Sequence, residues 1–277
     1  MTQSTFRITR TSRKLIFLVI QIAYKLDGTD INSFQRERIR MDNSAMILVS
    51  IIGDSISTFE HYNPPDYAVF YDKEKQALNG MTSVYDTWWA KVNQALHANL
   101  CVNNSYSGSK VTGNSFPAGS SIERISNLAT AECTPDIILL YIGFNDFGNG
   151  IKISRQKSGL FRKADLSYFE EAYKLMVDRI KKLYPKAIVI CGTLLRSKLK
   201  HDPNWEFPEK YAGIPFENYN NAIRSIAKKE KVYLADVSTY EGRYETLDGS
   251  HPTAKGHKTI ADAWIKSLAE SGIFEAL

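Results

Sequence analysis

Five short runs along the chain are almost continuously apolar: 46–52 (MILVSII), 99–103 (NLCVN), 136–142 (DIILLYI), 187–193 (AIVICGT) and 232–236 (VYLAD). They do not alternate apolar with polar residues. That pattern predicts parallel strands covered on both faces. Longer amphipathic stretches separate them. In 83–98, Val84, Trp88, Val92 and Leu96 recur every four residues on one face, which predicts a helix. Helices are also predicted over 165–184, ended by Pro185, over 216–230, and over 253–271 with Pro252 and Thr253 at its first turn. Strand–helix alternation at this spacing makes βαβ units. The expected fold class is α/β: a three-layer α/β/α, doubly wound, five-stranded parallel sheet of flavodoxin-like type.

Three stretches exceed an ordinary loop: 59–82, 144–164 and 194–215. All leave the carboxyl ends of predicted strands, where open α/β sheets bind ligands. They read as walls of a site.

Composition changes this picture little. The 277 residues are 43% hydrophobic and 23% charged, as in ordinary globular proteins. The net charge of +5 is all in residues 1–40, with eight Lys/Arg and three Asp/Glu, so the rest is neutral. A neutral body argues against nucleic acid as a partner. Residues 1–45 are expected to be a basic, poorly ordered extension, and 46–277 the folded domain. Behind Lys14, "LIFLVIQIAY" resembles the apolar part of a signal peptide, but no small-x-small site follows and the run is too short to span a bilayer. Translation from an early start codon is the competing account, with Met41 and Met46 just before the first strand. A cytoplasmic location is favoured, with secretion the alternative if this run acts as a signal. Cys101, Cys133 and Cys191 lack metal-ligand spacing and are odd in number, so they read as buried free thiols.

The chemistry begins where the first strand stops. "SIIGDSIS" places Asp54 and Ser55 directly after Gly53. A serine there is either a helix cap or a nucleophile. A nucleophile needs a base, a group orienting the base, and donors for an oxyanion. Of five histidines, His251 in "LDGSHPTAKGH" has Asp248 three residues before it, across a turn that can bring the carboxylate to the imidazole Nδ1–H. "NNSYSGSKV", after the second strand, offers the backbone of Gly108. "YIGFNDFG", after the third, offers the Asn145 amide. Each motif alone also reads as turn chemistry. Together, four loops present one part each at one sheet edge.

These blocks resemble the SGNH hydrolase family, the GDSL-type esterases. "IGDSIS" is similar to its first block, with Ile56 replacing leucine. "NNSYSGSKV", "GFND" and "DGSHP" are similar to the other three. The resemblance implies a serine esterase without metal or cofactor. In it Ser55 attacks, His251 is the base and Asp248 orients it. The oxyanion is held by the backbone of Ser55 and Gly108 and the side chain of Asn145. Asp54 and Asp146 are expected to brace their loops. Aromatics in two insertions (Tyr62, Tyr67, Phe70, Tyr71; Trp205, Phe207, Tyr211) point to a short-chain acyl ester of a carbohydrate or other small molecule as partner. Trp88 and Trp89 are read as core and helix surface. An acyltransferase, a lysophospholipase-type lipid esterase and an inactive binding module on this fold are the alternatives. Oligomeric state is left open.

Overall fold

The computed structural model describes residues 47–155 and 163–273. The expectations for residues 1–45 lie outside them. All five predicted strands form, as β1 (Ile47–Gly53), β2 (Ala98–Asn103), β3 (Ile137–Tyr141), β4 (Ile188–Gly192) and, after three short strands described below, β8 (Tyr233–Ala235). They make one parallel sheet in the order β2-β1-β3-β4-β8. Helices cover both faces. Trp88–Ala95 (α2) packs on Ala254–Glu270 (α7) on one side. Phe169–Leu183 (α5) packs on Ile122–Ser126 (α3) and Phe216–Glu230 (α6) on the other. The architecture is therefore the three-layer α/β/α sandwich expected.

Helix positions follow local chemistry. In α5, Phe169, Ala172, Tyr173, Met176, Val177 and Ile180 are all buried, the i, i+3, i+4, i+7 repeat of one face. It starts four residues later than predicted, because Asp165 Oδ1 accepts from the Ser167 N–H and hydroxyl and makes a turn instead. The predicted helix 83–98 is split: Val84–Asp86 is a 3₁₀ turn, and Thr87 caps α2 by accepting from the Ala90 N–H. Trp88, Val92 and Leu96 are nonetheless in the core. Trp89, read as helix surface, is 2% exposed. Its indole donates to the Ser57 carbonyl, so it faces inward.

The insertions contain structure that their sequences did not announce. The first holds a helix, Lys73–Leu78 (α1), and the second opens with Phe144–Gly148 (α4). The third carries β5 (Ser197–Leu199), β6 (Lys210–Tyr211) and β7 (Ile214–Pro215). β5 pairs in parallel with Tyr244–Thr246 (β9), apart from the main sheet.

One cysteine reading is corrected. Cys101 and Cys133 are joined in a disulfide, and Cys191 is the buried free thiol. Cys133 reaches β2 because the connection from α3 to β3 runs along β1. There Ser50 Oγ donates to the Leu128 carbonyl at 2.7 Å, and the Leu48 N–H donates to Asp136 Oδ2 at 2.8 Å.

Candidate active site

In the register of β1 and β3, Gly53 stands opposite Tyr141. The two strands end side by side at the point where the sheet order reverses, the crevice in which such folds bind ligands. The loops beginning at Asp54 and Ile142 therefore share one edge.

Asp54, not Ser55, caps the 3₁₀ turn Ser55–Ser57, its Oδ1 accepting from the Ile56 N–H at 3.0 Å. The Ser55 hydroxyl is free for another partner. Ser57 is held from below by the Trp88 indole on its hydroxyl (3.1 Å) and by Trp89 and Asn103 Nδ2 on its carbonyl (3.0 and 2.8 Å). A Cβ at residue 53 would lie 2.5 Å from Ser57 Oγ, so only glycine fits beneath this turn. The buried Arg124 guanidinium donates to the Gly53 carbonyl at 3.1 Å, and to Asn104 and Pro117 oxygens. Burial lowers it to about 10, which leaves it cationic at neutral pH.

His251 stands on a turn after β9. His251 Nε2 is 2.9 Å from Ser55 Oγ, and its Nδ1 is 2.7 Å from Asp248 Oδ2. Asp248 Oδ1 also accepts from the N–H groups of Ser250 and His251, at 2.9 and 2.8 Å. Burial alone would raise this carboxyl. The hydrogen bonds from the His251 ring and backbone and the charge of His251 outweigh that, and hold it down at about 2. The turn is anchored by Ser197 Oγ on the Gly249 carbonyl (2.6 Å) and by the Tyr244 hydroxyl on the Ser250 carbonyl (3.0 Å). The β5–β9 pair thus carries His251, and the sequence patterning gave no sign of it.

Gly108 is the third residue of a turn closed by the Ser109 N–H on the Tyr106 carbonyl, with φ +78°, a conformation that favours glycine. The Tyr106 N–H and Ser109 Oγ both donate to the Gly53 carbonyl, which seats this loop against the Ser55 turn. Asn145 Nδ2 donates to the Ser109 carbonyl at 3.0 Å, which uses one of its two amide hydrogens. The backbone N–H groups of Ser55 and Gly108 donate to no acceptor among the described residues. Asp146 ties the loops together. Its carboxylate accepts from the Val111 N–H and from the Thr112 N–H and hydroxyl, at 2.7, 3.1 and 2.8 Å. Burial raises it to about 6 against those donors. Burial likewise pushes Asp54 up to about 7, against the Ile56 N–H and the charges of His251 and Arg124.

A cleft of about 350 Å³ opens over Ser55, Asn145 and His251. Aromatic side chains dominate its wall: Phe144 and Phe147, three apart on α4, with Trp205, Phe207, Tyr211 and Tyr244. Gly108 is not among the lining residues. Of the two aromatic insertions, only 194–215 reaches this cleft. The other serves elsewhere: Tyr62 packs on Trp89, Tyr67 on Tyr106 and Phe116, and Tyr71 is fully buried. Phe70 stacks on the His251 ring. No sequence signal marked that contact, because Phe70 lies far along the chain from His251. His257, by contrast, is packed in the core. Its Nδ1 accepts from the Trp88 N–H at 3.2 Å, and burial depresses it to about 3. Among the described residues no cluster of His, Cys, Asp or Glu suits a metal ion, and no helix is long and apolar enough to cross a membrane.

A doubly wound sheet with a serine, a histidine and an aspartate hydrogen-bonded in sequence at its carboxyl edge is an arrangement of ester-cleaving hydrolases. The chain belongs to the GDSL-like lipase/acylhydrolase family, whose sequence pattern matches residues 47–210. That match includes Ser55, Gly108 and Asn145 and ends before Asp248 and His251. Among solved structures, a protein described as a GDSL-like lipase from Bacteroides uniformis is 27% identical. The alignment covers 82% of this chain and 97% of that one, with a TM-score of 0.60. A similarly described protein from Bacteroides ovatus is 25% identical over 82% and 99% of the two chains, with a TM-score of 0.58. A carbohydrate esterase family 2 enzyme from Corynascus thermopiles shares the fold at 18% identity, with a TM-score of 0.53 over 83% of this chain and 68% of that one. A search of curated protein sequences finds no significant match.

Proposed function

We propose that this hydrolase cleaves short-chain acyl esters of carbohydrates or similar polyhydroxylated alcohols through Ser55, His251 and Asp248. The observation that carries the reading is the 2.9 Å contact between His251 Nε2 and Ser55 Oγ, backed by Asp248 on Nδ1. In this scheme Ser55 Oγ attacks the ester carbonyl carbon and gives its proton to His251 Nε2. Asp248, anionic at any working pH, holds the tautomer with Nδ1–H and balances the imidazolium. The tetrahedral oxyanion takes the N–H groups of Ser55 and Gly108 and the remaining amide hydrogen of Asn145. His251 then protonates the leaving alkoxide, and water repeats the steps on the acyl-enzyme.

Two features favour the substrate class. At about 350 Å³ the cleft lies at the low end for small-molecule sites, and its accessible aromatics, Trp205 and Tyr211, offer flat faces with polar edges, suited to sugar rings. The test is turnover of p-nitrophenyl acetate and of acetylated sugars by the wild type and Ser55→Ala. Equal rates in both would remove Ser55 as nucleophile. Products formed with and without a sugar acceptor separate hydrolysis from transfer, and longer p-nitrophenyl acyl chains should be progressively poorer substrates.

A further inference from the structure

We propose that Phe70 is a positioning residue for the base, presenting the π face on which the His251 imidazolium is stabilised; this rests on the ester-hydrolase reading above. The Phe70 and His251 rings lie face to face, centroids 3.4 Å apart and planes 6° from parallel. Two neutral aromatic rings avoid that sandwich and prefer offset or edge-on packing. A cation over a ring face is attracted to it. The geometry therefore suits the protonated base better than the neutral one. His251 becomes cationic as it takes the Ser55 proton, so the contact strengthens on the way to the transition state. Only such differential contacts accelerate chemistry.

The same segment fastens the base and the nucleophile to one frame. The Phe70 N–H donates to Thr58 Oγ1 at 2.9 Å, and the Thr58 hydroxyl donates to the Ser55 carbonyl at 2.9 Å. Next along the chain, the Tyr71 hydroxyl donates to the carbonyl of Pro252, the residue after His251, at 2.7 Å. Tyr71 also meets the Phe70 ring edge-on, at 4.9 Å. The insertion 59–82 thus holds Phe70 at the face of the imidazole while Asp248 and Ser55 hold its two nitrogens. The other titratable groups facing His251 are Asp54 from the Ser55 turn and His257 from α7, which is neutral in the fold. Lys75 of α1 lies 6.0 Å from the Phe70 ring centroid.

The experiment compares Phe70→Leu, which keeps bulk and loses the π face, with Phe70→Tyr, which keeps the face. Turnover of p-nitrophenyl acetate is followed from pH 5 to 9. In Phe70→Leu, kcat is expected to fall about 3- to 30-fold with KM within about two-fold, and the acid limb of kcat/KM to move to lower pH. Phe70→Tyr should stay within about two-fold of wild type in kcat, with the limb unmoved. An equal loss in both variants, or a loss in Phe70→Leu without a limb shift, makes the role one of packing and overturns the proposal. So does an unchanged kcat in Phe70→Leu. NMR titration of the His251 ring in Ser55→Ala, with and without Phe70→Leu, reads the same contact without turnover. Its midpoint should move to lower pH when the π face is lost, and an unmoved midpoint counts against the stack even if the hydrolase reading fails. An active wild type, an inactive Ser55→Ala and a normal Phe70→Leu would together sink this inference alone.

Discussion

Trp88 Nε1 donates to the hydroxyl of Ser57 at 3.1 Å, two residues from the candidate nucleophile. The indole is fully buried and stacks on Trp264 of α7, centroids 5.1 Å apart. The turn bearing Ser55 is therefore seated on the core through the helix layer, and its geometry is set by packing as much as by its own hydrogen bonds.

Space beneath this turn is the first thing to test. Gly53→Ala puts a methyl 2.5–2.6 Å from Ser57 atoms that Trp88, Trp89 and Asn103 keep from moving, and 2.8 Å from Ser105 Oγ. The expected cost is about 1–3 kcal/mol, measured by thermal or urea unfolding. Activity should fall further than stability explains, because Ser55 shifts with the turn.

Removing the Ser55 hydroxyl should separate chemistry from folding. Ser55→Ala is expected to lower kcat at least about 10³-fold while Tm stays within about 2 °C of wild type. A variant that unfolds early instead would mean that the hydroxyl serves the structure.

Asp248 held at about 2 stays ionised under all practical conditions, so it contributes no limb to the pH–rate profile above about pH 4. Its depressed value stabilises the fold above the unfolded carboxyl value of ~3.9, and this is lost as the pH falls through about 2. Asp248→Asn should lower kcat about 10²–10⁴-fold by favouring the wrong imidazole tautomer, a loss read in steady-state kinetics.

Two other buried groups give stability opposite dependences on pH. His257 is neutral in the fold down to about pH 3, whereas an unfolded histidine protonates near ~6.5. The unfolded chain then binds more protons, and stability falls as pH drops through that window. Asp54, raised to about 7, keeps its proton in the fold where an unfolded carboxyl at ~3.9 has lost it, so its contribution is lost as pH rises from about 4 to 7. The change in Tm between pH 7 and 4.5 should be more favourable to low pH in His257→Gln than in wild type, and less so in Asp54→Asn. Scanning fluorimetry checks both.

The disulfide predicts one titratable thiol, Cys191, in unreduced, denatured protein, and three after reduction. Reduction, or Cys133→Ser, should cost about 3–4 kcal/mol for a loop closed across a separation of 32 residues. Unfolding with and without reductant measures it.

The chain by itself was enough to place the five central strands within about a residue, because a parallel strand buried on both faces leaves an unbroken apolar run. Helix α6 was legible end to end for a similar reason, a one-faced repeat that begins directly after Pro215. The residues offered for the site were legible too, as acid, hydroxyl, glycine and amide in loops at one sheet edge. Patterning did not reveal β9, the strand that delivers His251. Three residues paired only with another three-residue strand make too short a signal. Nor could it tell which aromatic insertion lines the cleft and which one stacks on His251. Phe70 and Trp205 sit in similar mixtures of aromatic and polar residues, and only the path of each loop separates them. The pairing of Cys101 with Cys133 is of the same kind. Helix and strand periodicity acts over a few residues, so the chain carries it locally. Which loop tip meets which is decided by packing between segments far apart in sequence, and only the folded structure contains that.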